Sequence, residues 1–254
     1  MTLDPRAPAP VERDHYSYAH YADQQVAEGF DALRFSGAVG RFLAESQAAL
    51  LADALRPQVG KRIADVGTGT GRAAIGLAAH GAAVIGLDAS IEMLDVARRR
   101  AVDANAPLVL AVADAHQLPL GDRDVDAAVC LRVLMHAIDW RRCIAELCRV
   151  SRHRVVVDFP AASSFAAIES LVRRARRQLG GRVEAYRVMA ERDVVAAFAA
   201  NGYRVIDVRR QFVLPIALHK AANRFDVTRR VERALEAAGA LRLFGSPVTM
   251  VAER

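Results

Sequence analysis

The residues with the plainest chemical purpose are Asp65-Val66-Gly67-Thr68-Gly69-Thr70-Gly71. Three glycines two apart permit a turn whose backbone lies flat against a ligand and offers N–H groups beside a helix N-terminus. A nucleotide-like group suits that turn. A dinucleotide pattern G-x-G-x-x-G begun at Gly67 needs a glycine where Arg72 stands, but begun at Gly69 it reads G-x-G-x-x-A and ends at Ala74. The glycines alone leave a nicotinamide cofactor open. Asp88 closes Val84-Ile85-Gly86-Leu87-Asp88, where a carboxylate accepts hydrogen bonds from both ribose hydroxyls in either cofactor class. Asp114, in Ala113-Asp114-Ala115-His116-Gln117-Leu118-Pro119, stands where an acceptor can meet the exocyclic amine of an adenine. A cap or turn role is its plainer alternative.

These groups need elements to hold them. Arg62 to Val66 reads as a strand, and Arg72 to His80 as a helix ended by Gly81. Strand 83–87, helix 90–102, strand 108–112, strand 127–131, helix 140–149 and strand 154–158 continue the alternation. Apolar runs of about five residues between helices mark a parallel sheet covered on both faces, so the fold class is α/β, doubly wound. Before it come a loose arm, 1–15, a short helical cap rich in aromatics and a helix from Val39 to Leu55 closed by Pro57 and Gly60. After Pro160 an inserted lid helix, Ala166 to Leu179, puts Ile168, Leu171, Val172, Ala175 and Leu179 on one face and arginines on the other, and stops at Gly180-Gly181. Helix 191–200, strand 203–208, a helix near 227–238 and strand 248–252 complete the chain. The expected division is 1–56, arm and cap, and 57–254, one domain with insertions at about 160–190 and 209–245.

Composition narrows the class. The 254 residues are 53% apolar and 25% charged, enough for one globular domain with a core. No run approaches the roughly 18 apolar residues of a membrane span, and the first residues lack the apolar stretch of a signal peptide. A cytoplasmic protein is expected. Cys130, Cys143 and Cys148 contain no CxxC pair, so they read as packed, reduced thiols, and no metal site is expected. The net charge of +6 and pI near 9.7 raise nucleic acid or an anionic membrane surface as partners. The arginines, however, are scattered in twos and threes beside apolar positions, as on the solvated faces of amphipathic elements.

DVGTGTG, then VIGLDASIEML, then ADAHQLPLGDRDVDAAVCLRVLMHAIDW resembles the class I S-adenosylmethionine-dependent methyltransferases, in particular the ubiquinone and menaquinone biosynthesis branch. The resemblance covers about residues 60 to 158. It implies S-adenosyl-L-methionine as cofactor, S-adenosyl-L-homocysteine as product and a Rossmann-like seven-stranded sheet ordered 3-2-1-4-5-7-6 with the last strand antiparallel. By the same resemblance Gly67, Gly69 and Gly71 approach the methionine and ribose, with Thr68 among them, and Asp65 anchors the turn. Asp88 and Ala89 hold the ribose, Met93 lies against the adenine, Asp114 and Ala115 flank its other edge, and Leu131 with Arg132 faces the sulfonium. The family's turn and glycine pair before the fifth strand is replaced by Val150-Ser151-Arg152-His153-Arg154, and residues 209–245 separate two strands that the family joins tightly. Leu131-Arg132-Val133-Leu134 stands in place of the Asn/Asp-Pro-Pro-Tyr/Phe that grips an amine, which argues against base or glutamine N-methylation.

His136 lies past the fourth strand at the carboxyl edge of the sheet and is the candidate base, with simple packing as its alternative. The acceptor pocket is expected between the cap and the lid. Tyr21 and Arg34 are candidate substrate contacts there, suited to a planar or lipophilic small molecule with a carbonyl, phenol or carboxylate. The expected activity is methyl transfer to oxygen or carbon of such an acceptor by a monomer or homodimer. Nucleic acid is disfavoured as a partner and contact with a membrane surface is left open. An RNA methyltransferase and a non-catalytic cofactor-binding regulator are the competing readings, with a nicotinamide dehydrogenase behind them.

Overall fold

The computed structural model describes residues 16–56, 58–178, 186–214, 218 and 225–254. The expected arm, Pro57, and the Leu179 and Gly180-Gly181 end of the lid helix lie outside them. Three helices come first, Tyr16–Tyr21 (α1), Gln24–Phe35 (α2) and Gly37–Ala54 (α3). Then follow Arg62–Val66 (β1), Arg72–Ala79 (α4), Ala83–Asp88 (β2), Ile91–Asp103 (α5), Leu108–Val112 (β3), Val125–Cys130 (β4), Trp140–Val150 (α6) and Ser151–Phe159 (β5). Phe165–Gln178 (α7), Glu191–Ala200 (α8), Arg204–Arg210 (β6), Phe225–Ala237 (α9), Ala240–Phe244 (α10) and Val248–Glu253 (β7) complete the order.

The strands form one sheet ordered β3-β2-β1-β4-β5-β7-β6, as the resemblance implies. β7 runs antiparallel to both neighbours, and the remaining pairs are parallel. Side chains alternate across each strand, so β1 sends Ile63 to one face and Ala64 and Val66 to the other. Ile63 meets Leu50, Leu51 and Ala54 of α3 and Ala74 and Leu77 of α4. Ala64 and Val66 belong to the core beneath α6 and α8. Trp140, Cys143, Ile144, Leu147 and Cys148 of α6 recur at helical spacing and are all buried, the stripe that docks this helix. The three cysteines are free and buried.

Three differences from expectation have local causes. The aromatic segment before Val39 forms two helices rather than one short cap. α2 starts where the Asp23 carboxylate accepts from the N–H groups of Gln25 and Val26. β4 begins at Val125 and stops at Cys130, not Leu131, because Arg132 takes a φ of +64° and turns the chain out of the sheet. α6 passes into β5 without an intervening loop, Val150 being the last helical residue and Ser151 the first of the strand.

Gly67 follows β1 with a φ of +71°, and a Cβ there would sit 2.1 Å from Cγ2 of Val133. Gly67→Ala is therefore expected to lower the unfolding free energy by about 2 to 4 kcal/mol from backbone strain and overpacking together. Urea unfolding measures this, and Val133→Ala in the same chain should restore part of the loss.

Candidate active site

β1 and β2 end at the carboxyl edge of the sheet, the edge at which open α/β sheets bind ligands. The Gly67 and Thr68 N–H groups both donate to the Leu87 carbonyl, at 2.7 and 2.9 Å. The Thr68 hydroxyl donates to Asp65 Oδ2 at 2.7 Å. Asp88 is held at both oxygens, by the Gly69 N–H at 2.8 Å and the Ser90 N–H at 2.9 Å. The Ala89 N–H also bonds the carboxylate, which keeps acceptor capacity for a ligand hydroxyl. Asp88 lines a cavity of about 150 Å3 with Gly67, Gly69, Ala89 and Met93.

The far end of this cavity is closed by Asp114. Its Oδ2 accepts the Tyr18 hydroxyl at 2.6 Å, and its Oδ1 accepts the His116 backbone N–H at 2.8 Å and meets His116 Nδ1 at 2.6 Å. The Asp139 N–H donates to His116 Nε2 at 3.1 Å, so Nδ1 carries the ring proton and donates it to Asp114. Burial pulls the Asp114 carboxyl up, yet the hydrogen bonds from His116 and Tyr18 outweigh it and leave it below the usual range.

Helices α1 and α2 roof the site. The Thr70 hydroxyl of the glycine turn donates to Asp31 of α2 at 3.1 Å, and Asp31 also pairs with Arg100 of α5. The Ser90 hydroxyl donates to the Tyr21 carbonyl at 2.7 Å. Beyond the turn a second cavity of about 510 Å3 opens under α3 and α7. Phe30, Arg34, Gly67, Gly69, Leu131, Arg132 and His136 line both cavities. The Tyr21 ring stands edge-on to His136 at 6.1 Å between centroids, and Arg34 donates to the Tyr21 hydroxyl at 3.4 Å.

The structure therefore gathers Gly67, Gly69, Asp88, Ala89, Met93, Asp114, Ala115, Leu131, Arg132, Tyr21, Arg34 and His136 around the smaller cavity. Asp65 and Thr68 line the larger one instead. Gly71 lines neither; at a φ of +78° it starts α4, and its Cα faces Ala97 closely. Sequence reasoning did not find the roles of Asp31, Tyr18, His116 or Asp158 here. Tyr18 and Asp114 are 96 residues apart, a pairing that leaves no local pattern to read. Asp158 ends the cluster on the other side, where the Arg132 N–H donates to its carboxylate.

Residues 64–157 match the family described as methyltransferase domain. This stretch is thus similar to S-adenosylmethionine-dependent methyltransferase domains. Over 98 residues the chain is 41% identical to a demethylmenaquinone methyltransferase of Clavibacter sepedonicus, covering 38% of this chain and 39% of the relative. Over 101 residues it is 36% identical to an O-methyltransferase of Pyrenophora dematioidea, covering 39% and 38%. The chain thus spans about two-fifths of the length of these curated relatives. Magnesium protoporphyrin IX methyltransferase of Synechocystis PCC 6803, solved with bound SAM, superposes with a TM-score of 0.62 at 20% identity over 97% of this chain and 99% of that one. The (4+2)-cyclase SpnF superposes at 0.68 and 18% identity over 98% and 99%. At these identities the likeness is one of fold.

Around the glycine turn the acids differ in charge tendency. Burial raises Asp65 from 3.8 to about 6, against the Thr68 hydrogen bond and with help from the nearby Asp88 charge. Burial likewise raises Asp88 and Asp158, while Arg132 and Arg72 pull Asp158 back. Arg72, half-buried and beside Arg132, falls to about 10. An acid that binds its proton more tightly in the folded chain favours folding at low pH, and Asp65 loses that contribution as the pH rises from 3.8 through about 6. Asp65→Asn, which keeps an acceptor for Thr68, is expected to raise unfolding free energy by about 1 to 3 kcal/mol at about pH 8 and by little at about pH 4. Urea unfolding at the two pH values checks the difference.

Proposed function

We propose that this chain transfers the methyl group of S-adenosyl-L-methionine to an oxygen or carbon of a small planar or lipophilic acceptor. The observation that carries this reading is the pair of adjoining cavities with His136 on their shared boundary. The residues of the smaller one suit an adenosyl group. Asp88 offers a carboxylate acceptor to the ribose hydroxyls, Met93 offers a polarisable surface to a flat ring, and Asp114 offers an acceptor to an amine. Gly67 and Gly69 leave room for backbone approach. The bound cofactor supplies an electrophilic methyl group on a sulfonium, a good leaving group.

The chain's own part is then to align and to manage one proton. Asp88 fixes the ribose end, while Phe30, Met135, Phe159 and Phe165 in the larger cavity hold an apolar acceptor body and exclude water. His136, buried and standing between the two chambers, accepts the acceptor's hydroxyl or ring-carbon proton on a ring nitrogen as the acceptor turns nucleophilic. Tyr21, edge-on to His136 and bonded by Arg34, orients that ring. The demethylmenaquinone and O-methyltransferase relatives support small-molecule methylation, and the quinone- or phenol-like acceptor is our extension of it.

The basic charge gives little support to an RNA acceptor. Arg99 pairs with Glu28, Arg149 with Glu146 and Asp122, Arg154 with Glu253, Arg209 with Asp53 and Asp207, and Arg210 with Glu191. Arginines committed to neighbouring carboxylates present a weaker field to a phosphate backbone.

Asp88→Ala is expected to weaken S-adenosyl-L-methionine binding by about 30-fold or more, since a charge-assisted contact to the ribose is lost. Isothermal titration calorimetry reads this, with circular dichroism as the control for folding; undiminished affinity would remove Asp88 from the site. His136→Ala should lower turnover by about a hundredfold with cofactor affinity changed less than about threefold. Transfer of labelled methyl to a panel of phenols and quinols tests it, and full activity in that variant would leave His136 a packing residue.

A further inference from the structure

Helix α7 faces the wrong way for a helix of a water-soluble protein. Its sequence separates into an apolar arc, Phe165, Ile168, Leu171 and Val172, and a polar arc of Glu169, Ser170 and Arg173. The polar arc is the one turned inward. Ser170 is buried and donates to the Tyr186 carbonyl at 2.8 Å, and Glu169 and Arg173, paired at 2.7 Å, line the larger cavity. Ile168, Leu171 and Val172 are 60, 65 and 49% exposed. An amphipathic helix ordinarily buries that stripe against the core. The patch runs on through the Phe165 ring, 6.5 Å from that of Phe244 in α10, to the exposed Leu243. Phe165 also lines the larger cavity, so the patch reaches that cavity's wall.

We propose that this face docks on an anionic lipid bilayer, with the apolar arc of α7 and the end of α10 seated among the acyl chains. Charge supplies the choice of occupant. Past the Glu169–Arg173 pair the sequence of α7 carries Arg174, Arg176 and Arg177, and α10 adds Arg242. Aliphatic and aromatic side chains next to arginines are the composition of an interfacial helix, whose basic groups meet lipid phosphates while its apolar stripe enters the acyl boundary. A second copy of this chain seated on the same face by a two-fold axis would instead bring two arginine-rich helices together. Docking in this orientation sets the wall of the larger cavity at the lipid surface, from which an apolar molecule could enter without crossing water.

The test is sedimentation of the full chain with large unilamellar vesicles, made either of phosphatidylglycerol and phosphatidylcholine or of phosphatidylcholine alone. The wild-type chain is expected to sediment with the anionic vesicles, less so as salt rises, and weakly with the neutral ones. Ile168→Glu combined with Leu171→Glu should cut that binding by about tenfold or more while far-UV circular dichroism and the melting temperature stay unchanged. A second variant guards against a folding defect: Leu171→Trp should keep binding, and its fluorescence should shift to the blue when anionic vesicles are added. Absence of vesicle binding, equal binding by the double-glutamate variant, or an unshifted Leu171→Trp emission would overturn the proposal. So would a dimer, seen by analytical ultracentrifugation, that the double-glutamate variant abolishes.

Discussion

The turn after β1 is made of glycine and threonine and has almost no bulk with which to hold its own shape. Its form depends on the strand beside it. Leu87 lends one carbonyl to two N–H groups of the turn, and Asp88 lends a carboxylate oxygen to a third. Both are delivered by the parallel register that sets Val66 opposite Leu87. A slip of one residue in β2 would send Asp88 to the opposite face and leave the turn without its support. The site is therefore a property of strand pairing before it is a property of any single side chain.

Burial then treats neighbouring acids differently. Asp65, Asp88 and Asp158 sit where desolvation prevails and their carboxyls are pushed up. Asp114 is also desolvated, but donors on both oxygens push it down. One residue type thus provides a reluctant charge near the glycine turn and a settled one at the far end of the same cavity. The half-buried Arg72 and Arg132 stand beside these acids. The proposed transfer would bring a positive sulfonium into the region where carboxylates hold their charge at most cost, which suits a cationic ligand.

Most of the sheet was legible because its signals are local. β1, β3 and α8 coincide with the apolar runs and the helical pattern that suggested them, and the glycine turn lies where three glycines two apart place it. Boundaries failed where a backbone torsion decided them, as at Arg132, whose positive φ ends β4 early and has no marker in residue type. The site separated along the same line. Asp88 ends β2 and Asp114 follows β3 by two residues, so both could be found by position, whereas Asp31 and Tyr18 meet their partners across 39 and 96 residues. The amphipathic pattern of α7 was likewise visible, but a pattern gives two faces and does not say which one turns inward.

Helix α1 is fastened over the smaller cavity by a side chain of its wall, and α2 by a carboxylate just outside it. Tyr18 holds Asp114, and Asp31 holds both the glycine turn and Arg100. Loosening either contact therefore disturbs the covering helices and the ligand-facing groups together, so the first helices and the sheet edge form one mechanical unit.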